Sequence, residues 1–225
     1  MPRSFGEPLT KLRAVPIRDN GESLIDPRRL SPRIHFAEKH PKWDDLVRTL
    51  KVRESVARML AEAADNLPRG IEMQIIEGYR PLSQQRLMYE RNKAEFAAAH
   101  PEWNKATLHR ILNQLSAPPD DKCPPPHITG GAVDLCLIYG SDGDKLVDMT
   151  SPFGWNEKSA PTGMKGLSQE AQQNRNLLIE TLEATGLTNY VGEWWHWSYG
   201  DSGWALRVGA AEACYNRLPD EAARD

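Results

Sequence analysis

The chain has 225 residues, 40% of them hydrophobic and 26% charged, with 28 Lys+Arg against 31 Asp+Glu for a formal charge of -3. That balance excludes a disordered or fibrous chain, suffices for a buried core, and lacks the basic excess of a dedicated nucleic-acid binder. No apolar run approaches the roughly 18–20 residues of a membrane span. The first twenty residues hold no apolar export segment, so a cytoplasmic location is expected.

Residues 1–40 are Pro- and Arg-rich and poorly periodic, and read as an irregular arm wrapping a single domain that spans 1–225. From Trp43 to about Asn66, apolar residues such as Leu46, Leu50, Val56, Leu60 and Ala63 recur at helical spacing. Leu67-Pro68-Arg69-Gly70 stops that helix. Residues 71–77 alternate as a strand, with Gly78-Tyr79-Arg80-Pro81 as its exit turn. Ser83 is placed to cap a helix running to about Ala99, and 103–115 reads as another. Five prolines within 116–126 impose a loop, because proline neither continues a helix nor donates to a ladder. The apolar stretch 131–139 is a strand. Residues 140–167 form a loop longer than connection alone requires. Ser168 to Thr185 is a helix with Gly186 just past its end. The aromatic run 190–198 reads as a last strand. The fold class expected is α+β: a small, mostly antiparallel sheet with helices packed on it.

Two segments carry chemistry: His127-Ile128-Thr129-Gly130-Gly131-Ala132-Val133-Asp134 and Glu193-Trp194-Trp195-His196. Two imidazoles and a carboxylate are the ligand set of a catalytic zinc, which keeps its fourth position open. His127, Asp134 and His196 supply such a set, and Glu193 is then free as general base. Zinc lowers the pKa of water toward about 7. Taken singly, each residue has an ordinary reading: a loop histidine, a buried hydrogen-bonded carboxylate, a core histidine among tryptophans. On the 131–139 strand Asp134 shares a face with Ala132, Cys136 and Ile138, where an acid needs a partner. Strict alternation puts Glu193 and His196 on opposite faces. Both reach one site only if Glu193 sits at the strand entrance or on a bulge beside Gly192. Trp194, Trp195 and Trp197 read as core residues and walls of the site, and His35, His40, His100 and His109 as surface residues. Cys136 reads as an apolar filler and Cys123 as exposed in the proline loop. Three cysteines without CxxC spacing exclude a disulfide framework and a thiolate zinc finger.

Pro125-x-His127-x-x-Gly130-x-Ala132-x-Asp134 with Glu193-x-Trp195-His196 resembles the zinc peptidases of the D-alanyl-D-alanine dipeptidase family, within the Hedgehog/DD-peptidase group. Glu77-Gly78-Tyr79-Arg80-Pro81 resembles that family's acidic-x-Tyr-Arg-Pro segment. The similarity spans about 71–200, which makes that stretch the catalytic core. It implies one Zn²⁺ per chain, a small peptide substrate, hydrolysis of D-Ala-D-Ala or a related short dipeptide, and stabilisation of the tetrahedral intermediate by Arg80. Glu77 and Tyr79 become candidate substrate contacts. Two positions depart from the family pattern: Pro125 replaces its first serine, and Gly154 stands where G-T-P-F-D ends in an acid that helps hold the substrate's amine. Asp148 or Glu157 are candidate replacements. The rival functions are a D,D-carboxypeptidase or L,D-endopeptidase on peptidoglycan stems, and a zinc-stabilised binding module without catalysis.

Overall fold

The architecture follows from the alternation of residues 132–139. Val133, Leu135 and Leu137 point to one side of their strand and Ala132, Asp134, Cys136 and Ile138 to the other, all of them buried. A computed structural model describes residues 7–38, 46, 48–140, 145–156 and 158–223. Trp43, His40 and Glu157, invoked above, lie outside them. In chain order the elements are α1 (Leu9–Leu12), β1 (Leu24–Ile25), β2 (Ile34–Phe36), β3 (Val52–Arg53), α2 (Glu54–Asn66), β4 (Ile71–Glu77), α3 (Leu82–Ala99) and α4 (Lys105–Leu115). After them come β5 (Ala132–Tyr139), α5 (Gln169–Glu183), β6 (Thr188–Asn189), β7 (His196–Ser198) and α6 (Ser202–Val208).

A five-stranded sheet runs β2-β4-β5-β7-β6. Its pairs are antiparallel except β2 with β4. The fold is therefore α+β with a mostly antiparallel sheet. One face of β4 and β5 presents Met73, Ile75, Val133, Leu135 and Leu137 to an apolar cluster shared with Val56 and Leu60 of α2 and Leu178 and Leu182 of α5. Each such side chain contributes about 1.5–3 kcal/mol on full burial. The opposite face is mixed, with Gln74, Glu77 and Asp134 beside Ala132, Cys136 and Ile138. Among the described residues no helix is long and apolar enough to cross a membrane.

Four expectations change. The helix expected from Trp43 starts only at Glu54, because Val52–Arg53 pairs with Leu24–Ile25 as a strand. The arm is not wholly irregular: it supplies β1 and the edge strand β2, whose Ile34 and Phe36 lie opposite Met73 and Ile75. Ser83 does not cap α3. Asp220, far along the chain, accepts from the backbone N–H of Leu82 and Ser83 at 2.8 and 3.1 Å. The strand expected over 190–198 shrinks to 196–198. Residues 190–195 turn back instead, with Glu193 N–H donating to Tyr190 O and His196 N–H to Glu193 O.

The long loop is organised by one cation. Arg175 of α5 is 1% exposed. Its guanidinium donates to the carbonyls of Met149, Ser159, Pro161 and Thr162 at 2.8, 2.5, 2.7 and 3.2 Å. Burial lowers its pKa to about 10, with Asp148 opposing. Trp155, carried by this loop, packs on Trp194 and Trp195. Arg175→Met strands several buried carbonyls. It is expected to cost about 2–4 kcal/mol, seen in a thermal melt as a Tm drop of roughly 5–15 °C.

Candidate metal centre

The sheet register brings the candidate residues together. Asp134 on β5 lies opposite His196 on β7 and opposite Glu77 on β4. Ile75 pairs with Leu135 but Glu77 pairs with Asp134, so Ile76 is an extra residue, a β-bulge. Without it Glu77 would fall on the apolar face with Met73 and Ile75. Glu193 sits in the turn that enters β7, which removes the alternation conflict.

His127 arrives from a different direction. The prolines before it fix a loop that tightens into a 3-10 turn over Pro126–Thr129, ended by Gly130 at φ 73°. Arg53 clamps that turn, its backbone N–H bonding Gly130 O and its Nε bonding Thr129 O. His127 Nδ1 donates to Gly78 O at 2.8 Å, which leaves Nε2 with its lone pair toward the sheet. Gly78 lies so close to the 49–51 segment that a Cβ there would meet Lys51 O at 2.6 Å.

His127 Nε2, His196 Nδ1 and Asp134 Oδ1 then converge. Their separations are 3.2 Å between the two nitrogens, 2.9 Å from His196 to Asp134 and 3.4 Å from His127 to Asp134. A tetrahedral zinc with ligands at about 2.0–2.2 Å spaces its donors roughly 3.3–3.5 Å apart. The donor set fits that ion in type, and one of its three separations matches that spacing while the other two are a few tenths of an ångström shorter. All three residues are buried. Burial would raise the Asp134 carboxyl, but the His127 and His196 imidazoles outweigh it and hold it far below the usual carboxylate range. Burial would likewise lower His127, and Asp134 overrides it and raises it.

A cavity of about 540 Å³ opens on this cluster and is also lined by Arg80, Glu193, Tyr190 and Trp195. Burial first, then the Asp134 charge, pushes the Glu193 carboxyl up to about 7 against the pull of His196 and Arg80. Arg80 is 8% exposed and doubly bonded to the Glu77 carboxylate, its Nε donating to Oε1 at 2.8 Å and its Nη2 to Oε2. Burial opposes both charges of that pair, yet each holds the other ionised: Glu77 is lowered and Arg80 raised.

Residues 35–216 match the sequence profile of the peptidase family described as D-ala-D-ala dipeptidase. A D-alanyl-D-alanine dipeptidase of Synechocystis sp. is 30% identical over 229 residues, covering 90% of this chain and 92% of the relative. The chain belongs to the D-ala-D-ala dipeptidase family of metallopeptidases. An Enterococcus faecalis D-alanyl-D-alanine dipeptidase is 35% identical over 75 residues, 33% of this chain and 37% of that one. Two solved structures are also similar. A zinc-complexed mutant of the vancomycin-resistance D,D-pentapeptidase VanY has TM-score 0.43 and 17% identity, over 76% of this chain and 87% of that one. VanYB in complex with D-alanine-D-alanine has TM-score 0.46 and 15% identity, over 77% and 87%.

Not every expected residue of this dipeptidase-family chain joins the cluster. Tyr79 is fully buried and its hydroxyl donates to Pro219 O at 2.7 Å, tying down the C-terminal segment. Asp148 spends its Oδ1 on the N–H groups of Thr150 and Ser151. Gly154 adopts φ 72°, and the next residue, Trp155, joins the aromatic wall. Trp194 and Trp197 are core residues, whereas Trp195 lines the cavity. Cys123 is not exposed; it is 8% exposed on the cavity wall. Burial pushes the thiols of Cys123 and Cys136 up to about 12. The structure adds Gln85, buried on α3, which accepts from Arg80 Nη1 at 2.7 Å and donates to Ala117 O at 2.7 Å. No signal in the sequence marks it, since its role depends on the proline loop folding back onto α3.

The Gly78 carbonyl fixes the His127 tautomer, so Gly78→Ala is expected to displace it. Zinc affinity should fall about 10–100-fold, the usual effect of losing such an outer partner, in a competition titration against a chromogenic chelator.

Proposed function

We propose that this chain hydrolyses D-Ala-D-Ala or a related short dipeptide, using one zinc held by His127, Asp134 and His196. The observation that carries the reading is the convergence of those three donor atoms in a cavity that Glu193 and Arg80 also line. A zinc ion there supplies Lewis acidity toward water and toward a carbonyl oxygen. Glu193 takes the proton of the attacking water and returns it to the departing amine. Arg80 keeps N–H groups on Nη1 and Nη2 beyond those used by Glu77 and Gln85, and these donate to the developing oxyanion. Glu77 and Gln85 act as positioning residues, holding the guanidinium flat and in place. Trp155 and Trp195 wall the cavity, and the exclusion of water strengthens each of these interactions.

The cavity is within the range of about 300–1,000 Å³ that drug-sized ligands fill, larger than two alanines need. It extends past Arg80 along Met88 and Phe96 of α3. That room supports dipeptides with larger side chains as additional substrates. The unpaired thiols of Cys123, Cys136 and Cys214 support a reducing, cytoplasmic setting.

The test pairs zinc content by mass spectrometry with amino-acid release from D,D-, L,D- and L,L-dipeptides and from a stem pentapeptide. Release from free dipeptides in preference to the pentapeptide supports the reading; the reverse makes the chain a carboxypeptidase. Glu193→Ala is expected to retain zinc and lose about 10²–10⁴-fold in kcat. His196→Ala is expected to lose stoichiometric zinc, and a fully loaded His196→Ala protein would remove that residue from the ligand set.

A further inference from the structure

Three carboxylates line the cavity: Asp134, Glu193 and Glu7. The first is consumed by the two imidazoles and the second by the proton transfer proposed above. Glu7 has no part in either. It comes from the arm, just before α1, and its Oε1 accepts from Arg207 Nη1 of α6 at 2.6 Å. Arg207 is itself fixed, its Nε donating to Thr188 Oγ1 at 2.8 Å and its Nη2 to Ser198 Oγ at 2.6 Å. Every nitrogen of that guanidinium is therefore engaged, and the acceptor is what remains. Glu7 Oε2 receives no hydrogen bond among the described residues. It lies over Gly203, where a Cβ would come within 2.9 Å of it. Tyr190 also lines the cavity; burial, and after it the charges of Glu193 and then Glu7, raise its phenol above the usual range.

A free dipeptide brings an α-ammonium into this cavity. Removed from water, that cation needs an anion with an open oxygen. We propose that Glu7 Oε2 receives the α-ammonium of the substrate, with Arg207 holding the carboxylate in position. The assignment rests on the dipeptidase reading. It supplies the carboxylate absent at Gly154 and makes the arm part of the specificity device: an acylated or chain-extended amine offers Glu7 no positive charge.

Binding and turnover are tested separately. Native holoenzyme is assayed for D-alanine release from D-Ala-D-Ala. Zinc-loaded Glu193→Gln protein, which should bind without turnover, is titrated calorimetrically with D-Ala-D-Ala and with its des-amino analogue propionyl-D-alanine. The dipeptide is expected to bind about 10–100-fold tighter than the analogue. Adding Glu7→Gln is expected to erase that preference by weakening the dipeptide alone. Arg207→Met, which removes the arm's docking partner but not the anion, is expected to keep a preference for the free amine. Equal binding of the two ligands in Glu193→Gln protein, or an unchanged preference after Glu7→Gln, overturns the subsite. So does equal weakening of both ligands. Absence of D-alanine release from the native enzyme counts against the dipeptidase reading, whereas amine-dependent binding still upholds Glu7.

Discussion

Two imidazole nitrogens and a carboxylate oxygen lie within 3.4 Å of one another, and with both rings neutral they form a donor set that a divalent cation would fill. The neighbouring fold is built to keep them there. Asp134 and His196 are held by the ladder between β5 and β7, whose register cannot slip by one residue without sending Val133 and Trp197 to the wrong face. His127 is held by a carbonyl from the exit of β4 and by a turn that Arg53 clamps. Arg53 is 1% exposed and also binds Asp19 of the arm and the carbonyl of Asn216 near the far end of the chain. The arm and the C-terminal segment therefore support the candidate metal site structurally, although none of its three donor atoms comes from either.

The charges tell the same story. Glu77, Asp134 and Glu193 are acidic and Arg80 is basic, so with both histidines neutral and Glu193 ionised the cluster would carry an excess of two negative charges. A divalent cation would cancel that excess and offset the burial of so much charge. Glu193 stands high when only protein groups surround it: burial and Asp134 disfavour its ionisation, and a cation beside it acts in the opposite sense. Glu77 lies next to Asp134 across the ladder, and its bidentate pairing with Arg80 offsets that like charge.

The grouping of His127, Asp134 and His196 and the β5 face were legible because both rest on local rules: residue type at fixed spacing and strict alternation. The rest depended on partners distant in sequence. Residues 190–195 look like strand because they are aromatic and apolar, properties that reflect burial more than backbone preference. They form a turn because Asn189 Nδ2 donates to the carbonyls of Glu193 and His196, closing the chain on itself. The edge strand β2 is three residues long and exists only through its pairing with β4. Asp220 caps a helix more than a hundred residues away, while Ser83, at a plausible distance in sequence, sits already inside the first turn. The bulge at Ile76 is equally silent, since Ile75-Ile76 reads as an ordinary apolar pair.

The division of labour across the chain explains how the family pattern can be broken at Pro125 and Gly154 without disturbing the site's centre. Asp134, His196 and Glu77 depend on the register of three adjacent strands, where a one-residue change moves every neighbour. The walls of the cavity come instead from loops and from the arm: Trp155 from the segment that Arg175 organises, the prolines before His127, and Glu7 from the approach to α1. The first two pieces are held by side-chain hydrogen bonds to backbone carbonyls, which do not specify what the neighbouring residue must be, and Glu7 is held by its ion pair with Arg207. A carboxylate can therefore disappear from one wall and be supplied from another while the central strands stay unchanged. The reaction is set by the sheet, and the identity of the peptide by what is wrapped around it.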